Sequence, residues 1–205
     1  MQLAIFDFDG TLADSFPWFC AELNGFAHRH GFREIDAYET EALRSKSTRE
    51  IMAALKVPMW KLPAIARDMR AHKAEADIKL FNGVPDALTA LKERGVVLAM
   101  VSSDNEAGIR RTMGAETAAL FSHFYCGASL FGKAAKIRKT LKAANIAPEN
   151  AVYVGDETRD AEAAKQAGTR FAAVLWGYAS REALLASSSD LVLERPEDIG
   201  KLFRE

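Results

Sequence analysis

Two carboxylates stand two residues apart, at Asp7 and Asp9, with Gly10 and Thr11 directly after them. A short apolar run, Leu3-Ala4-Ile5-Phe6, precedes them and reads as a buried strand. On an extended chain Asp7 and Asp9 share one face. Two anions that close repel, and one holds a proton unless a cation sits between them. A hard divalent cation with oxygen ligands, such as Mg²⁺, resolves the conflict. Gly10 lets the chain turn sharply, which brings the backbone N–H groups of Gly10 and Thr11 within reach of an anion.

Two further apolar runs end in polar residues. Val96 to Val101 ends in Ser102-Ser103-Asp104-Asn105, and Ala151 to Val154 ends in Gly155-Asp156-Glu157-Thr158-Arg159-Asp160. Lys133 opens a helical pattern just before the second of these. In a doubly wound sheet, ligands bind at the carboxyl ends of the strands. One edge would then gather several carboxylates, a hydroxyl and an ammonium. Ser102, Lys133 and N–H groups at helix N-termini suit an anionic group, beside a cation held by aspartates. A phosphate ester is the ligand that fits.

The elements that must position these residues fall into two textures. Residues 15–80 carry no strand signal and read as about four helices. Ser15 precedes a helix from Phe16 to about Arg29, with Pro17 in its first turn and Gly31 beyond its end. Ser47 and Glu50 form a capping-box pattern for a helix from Thr48 to Leu55. Pro58 opens a third helical pattern running to about Ala76. From Phe81 onward, strand and helix alternate. Helices are expected over 85–94, 105–113, 133–144, 158–167 and 181–186, with strands over 96–101, 123–126, 151–154, 171–176 and 190–193. A last helical turn starts near Pro196. Continuous apolar strands alternating with helices imply a mostly parallel α/β sheet covered on both faces. Residues 1–14 and 81–205 would form this core, and 15–80 an inserted all-helical cap.

The chain has 205 residues, 49% of them hydrophobic, and a net charge of −1. A near-neutral charge points to neither nucleic acid nor an anionic membrane surface. No apolar stretch is long enough to span a bilayer, and the N-terminus leaves no room for a charged and then apolar leader. A soluble, cytoplasmic protein, monomeric or homodimeric, is the expectation. Cys20 and Cys126 lie far apart without metal-ligand spacing and read as small hydrophobes. His28, His30, His72 and His123 show no paired spacing at a strand end and read as structural.

These motifs resemble those of the haloacid dehalogenase superfamily, in its phosphoglycolate phosphatase-like group. D-F-D-G-T-L-A-D-S (7–15) matches the first motif, and the apolar strand ending in Ser102 the second. Lys133 fits the third, and G-D-E-T-R-D (155–160) fits the fourth. The resemblance implies a phosphatase acting on a small phosphorylated metabolite. Asp7 would be the nucleophile that forms an aspartyl-phosphate. Asp9 would protonate the leaving oxygen and then deprotonate the attacking water. Mg²⁺ would be held by the Asp7 side chain, the Asp9 carbonyl and the Asp156 side chain. Asp160 would act behind them, orienting Lys133 or metal-bound water. Ser102, Ser103, Lys133, Gly10 and Thr11 would hold phosphoryl oxygens. The third motif departs from the family's K-P-x-P, reading Lys133-Ala134-Ala135-Lys136, so Lys136 is a rival to Lys133. Arg44 and Arg49 are the cap candidates for an anionic substrate. A sugar-phosphate mutase or a non-catalytic phospho-ligand-binding protein on the same fold remains open.

Overall fold

The computed structural model describes residues 1–36, 38–127 and 132–203. Six strands form one sheet: β1 (Leu3–Phe6), β2 (Val97–Val101), β3 (Phe121–Tyr125), β4 (Ala151–Gly155), β5 (Arg170–Val174) and β6 (Leu191–Leu193). Their order is β3-β2-β1-β4-β5-β6, and every pairing is parallel. Leu3 pairs with both Val97 and Ala151, and Phe6 with both Met100 and Val154. The strand that leads to Asp7 is therefore central, and its neighbours end level with it. The chain winds outward on one side of β1, returns, and winds outward on the other. The crevice where the order reverses is the usual ligand site of such a sheet.

The strands are apolar throughout because both faces are covered. Ala4, Phe6, Leu98, Met100, Val152 and Val154 belong to one core. Leu3, Ile5, Ala99, Val101, Ala151 and Tyr153 belong to the other. Side chains alternate between these two cores along each strand, as the pleat requires.

Between β1 and β2 lies a block of four helices: α1 (Phe16–His30), α2 (Glu39–Arg44), α3 (Thr48–Ala54) and α4 (Leu62–Lys73). Gly31 ends α1 in the left-handed conformation, and Ser47 with Glu50 makes the expected capping box on α3. The third helical pattern is interrupted. A 3₁₀ turn, Met59–Lys61, precedes α4, because Pro63 belongs in a first turn and restricts the residue before it. The block has a small apolar cluster of its own around Leu23, Ile35, Leu43 and Leu55. Its two tethers run side by side. The Asp14 N–H donates to the Lys79 carbonyl (2.9 Å), and the Phe81 N–H donates to the Leu12 carbonyl (3.0 Å).

The remaining helices are α5 (Val84–Glu93), α6 (Glu106–Ala119), α7 (Lys133–Ala144), α8 (Thr158–Ala167) and α9 (Arg181–Ala186). Four of them match the sequence expectation within about a residue at each end. The exception is α6, which continues past Gly114 through a break at that residue instead of ending there. Its cap is Asn105, whose side chain accepts from the Gly108 N–H.

Leu98 is fully buried in β2, next to the central strand. Leu98→Ala is expected to cost about 2–5 kcal/mol of unfolding free energy, read from urea titration. A loss below about 1 kcal/mol would show that this face of the sheet is not close-packed.

Candidate active site

At the carboxyl edge of the sheet, Asp7, Asp156 and Asp160 are all buried, with Asp156 and Asp160 at 0% exposure. Each has a carboxylate oxygen to offer, and these atoms lie within 4.8 Å of one another. Asp7 follows β1, Asp156 follows β4, and Asp160 sits in the first turn of α8. Lys133, at the start of α7, donates to Asp7 Oδ2 (2.6 Å) and to Asp160 Oδ1 (2.5 Å). The other Asp160 oxygen accepts the backbone N–H groups of Asp156 (3.2 Å) and Glu157 (3.1 Å). Burial pulls the Lys133 ammonium toward its neutral form. The carboxylates of Asp160 and Asp7 outweigh that pull, so its pKa stands above the ordinary lysine range. Burial raises the Asp160 carboxyl to about 6, and the Lys133 ammonium opposes the rise.

Asp156 is different. Its oxygens accept from the Thr11 hydroxyl (2.7 Å) and the Tyr178 N–H (2.8 Å). No lysine or arginine among the described residues pairs with it. Burial, then the nearby charges of Glu157, Asp160 and Asp7, push its carboxyl far above the ordinary range. Three buried carboxylates share one ammonium, and the donor set is oxygen only. That combination fits a hard divalent cation.

Two glycines let the backbone come this close. Gly10 has φ +71°, and a Cβ there would collide with the Asp156 carboxylate. A Cβ on Gly177 would strike Asp156 and stand 2.5 Å from the Gly10 carbonyl oxygen. The N–H groups of Gly10 and Thr11 do not face open space. They close the turn on the carbonyls of Ala13 (2.9 Å) and Phe8 (3.3 Å). Thr11 instead contributes its hydroxyl, to Asp156.

The Asp9 side chain turns away from the three buried carboxylates. Lys73, the last residue of α4, donates to both its oxygens (2.5 and 2.6 Å) and to Asp104 Oδ2 (2.6 Å). Burial raises the Asp9 carboxyl, and Lys73 opposes the rise. Ser102 is buried, and its Oγ accepts from the Asp104 N–H (3.1 Å). Ser103 lines the cleft. Lys136 donates to the carbonyls of Ser102 (2.7 Å) and Gly127 (2.6 Å), which ties two strand-end loops together. Of the two rival lysines, it is Lys133 that meets Asp7.

The helical block meets the core at the Gly177-Tyr178 loop. Arg44 donates to the carbonyls of Tyr178 and Gly177, both at 3.0 Å, and to Glu41 (3.0 Å). Arg44 thus clamps the block to the loop that caps Asp156. Arg49 is exposed and lies outside the lining of the cleft. Arg70, half-buried on α4 one turn before Lys73, lines the cleft with no partner for its guanidinium among the described residues.

Sequence reasoning missed Lys73, Arg70 and Tyr178. Lys73 stands close to a tether of the inserted block, a position that marks it as able to reach the edge. Tyr178 follows a strand that ends on the same edge, which was the available signal for it.

A sequence profile of haloacid dehalogenase-like hydrolases matches residues 4–174. The phosphoglycolate phosphatase of Synechococcus elongatus is 34% identical over 202 residues, covering 97% of this chain and 95% of that protein. The phosphoglycolate phosphatase of Aquifex aeolicus is 29% identical, covering 99% and 97%. A haloacid dehalogenase-like hydrolase from Streptococcus pneumoniae has the same fold, with a TM-score of 0.80 at 21% identity over 100% of this chain and 99% of that one.

Lys133→Ala leaves two buried carboxylates without their cation. It should cost about 3–5 kcal/mol of unfolding free energy, as for other broken buried ion pairs. A urea titration measures this in metal-free buffer, and a change below about 1 kcal/mol would contradict the pairing.

Proposed function

The chain belongs to the haloacid dehalogenase-like hydrolase family, and on that premise we propose that it is a Mg²⁺-dependent phosphatase. Its substrate would be a small phosphate monoester of the phosphoglycolate kind, hydrolysed through an aspartyl-phosphate. The observation that carries this reading is the group of buried carboxylates, Asp7, Asp156 and Asp160, which has one ammonium between them at the strand edge. Residues 15–80 would act as the cap, and residues 1–14 with 81–205 as the catalytic core.

Mg²⁺ would be held by the side chains of Asp7 and Asp156 and the Asp9 carbonyl, and it would offset the negative charge of the phosphoryl group. The chain's own residues do the rest. An Asp7 oxygen attacks phosphorus, and the bond from phosphorus to the ester oxygen breaks. Asp9 gives its proton to the departing alkoxide, so the alcohol leaves neutral. Water then attacks the phosphorus of the aspartyl-phosphate. Asp9 takes a proton from that water, and Asp7 is restored as inorganic phosphate departs. Lys133 holds Asp7 in place and shares the charge of the phosphoryl oxygens, with Asp160 fixing the ammonium. Ser102 and Ser103, at the end of β2, supply hydroxyls to the same phosphoryl group. Asp9 must part from Lys73 for its proton transfers, so substrate entry has to redistribute that ion pair.

Two observations support a small acid as leaving group. Curated relatives named phosphoglycolate phosphatase align over nearly the whole chain. Arg70 also offers the cleft an uncommitted guanidinium, suited to a carboxylate.

Steady-state hydrolysis of 2-phosphoglycolate with Mg²⁺, for the wild type and for Asp7→Asn, tests the reading. The substitution should lower kcat by about a thousandfold or more while the circular dichroism spectrum stays unchanged. Retention of more than about a tenth of wild-type turnover would exclude Asp7 as the nucleophile.

A further inference from the structure

A cavity of about 560 Å³ runs from Asp7 and Asp9 into the helical block. Beyond the polar end its walls are apolar, with Leu23, Phe26, Leu55, Ile65 and Met69 prominent among them. Four of these five are themselves buried, so this part of the cleft, which opens between the block and the strand edge, reaches the block's own apolar side chains. An apolar cavity of about 150 Å³ suffices to bind benzene, and this one is several times larger. A two-carbon acid fills only the end near the carboxylates. Water in the remainder would face walls with little to hydrogen-bond to, which favours an apolar occupant.

The cavity's position fixes which part of a substrate would occupy it. The phosphoryl group must sit at Asp7, so the space beyond Asp9 and Lys73 receives the leaving alcohol. We infer that this site accepts phosphate monoesters whose leaving alcohol carries a hydrocarbon body of several carbons, extending from the catalytic carboxylates into the helical block. The inference rests on the phosphatase reading above and adds the leaving-group class to it. Arg70 at the wall is compatible with a leaving group that combines an acid with this body. The block then selects by apolar area and not only by charge. A pocket of this size, apolar with a few polar groups at one end, is the usual form of a site for ligands of intermediate size.

The test compares ethyl, butyl and hexyl phosphate as substrates of the full chain with Mg²⁺. The value of kcat/KM should rise roughly tenfold or more from ethyl to hexyl phosphate, a part of the roughly fourfold per methylene that complete burial would give. Met69→Trp fills the cavity and should flatten that rise. The slope along the series is the readout, not the absolute rate. Equal kcat/KM for all three esters would overturn the inference and leave the phosphatase reading standing. A folded Met69→Trp protein that keeps the full slope would overturn it as well. Hydrolysis of none of the esters, nor of 2-phosphoglycolate, would refute the phosphatase reading. Calorimetric binding of hexylphosphonate against methylphosphonate would still decide the cavity's role. Tighter binding of the hexyl compound supports it, and equal affinity overturns it.

Discussion

Asp156 is a fully buried carboxylate with no cationic partner among the described residues, and it sits beside two more buried carboxylates that share a single lysine. An uncompensated charge in such a place is costly. The sheet nevertheless builds toward it. β1 and β4 end side by side in register, which puts Asp7 and Asp156 at the same level. α8 folds Asp160 back so that its carboxylate accepts the N–H groups of Asp156 and Glu157. α7 aims Lys133 into the remaining gap. Gly10 and Gly177 remove the side chains that would keep the loops apart. The arrangement fits a cation among these oxygen donors.

The helical block is coupled to this charge group at two points. Arg44 holds the carbonyls of the loop whose Tyr178 N–H caps Asp156, and Lys73 holds Asp9 and Asp104. Both ties join the block to strand-end loops of the core. Any motion of the block therefore changes hydrogen bonds at the site. Lys73 stands at the end of α4, a few residues from the tether at Lys79, so its reach depends on how that tether is set. In the proposed mechanism, placement of the leaving group and release of Asp9 would be linked through α4.

Much of this was legible in the sequence for physical reasons. Asp7, Asp156, Asp160 and Lys133 lie beside strong local signals, where an apolar run stops or a helix starts, and a parallel sheet brings such ends together. Gly31 marked the end of α1 because it adopts the left-handed conformation there. The partners of Lys73 were not legible, because α4 carries Arg67, Arg70, His72 and Lys73 in succession and residue type alone does not say which turns inward. Arg44, expected from the sequence to meet an anionic substrate, instead clamps the Gly177-Tyr178 loop. Its partners are backbone carbonyls, which have no signature in a sequence. The interruption before α4 and the continuation of α6 past Gly114 both depend on how neighbouring segments pack, which local propensity does not encode.

Whether the buried Asp156 serves to hold a divalent cation is tested most directly by thermal unfolding with and without Mg²⁺. A ligand that binds only the folded state raises its melting temperature. The wild type should gain stability as Mg²⁺ is added. Asp156→Asn should lose that gain and, in metal-free buffer, melt at or above the wild-type temperature, because the amide keeps the side chain's shape and cannot take on the negative charge that burial and the neighbouring carboxylates disfavour there. A wild type indifferent to Mg²⁺, or an Asp156→Asn protein that still responds to it fully, would contradict the account.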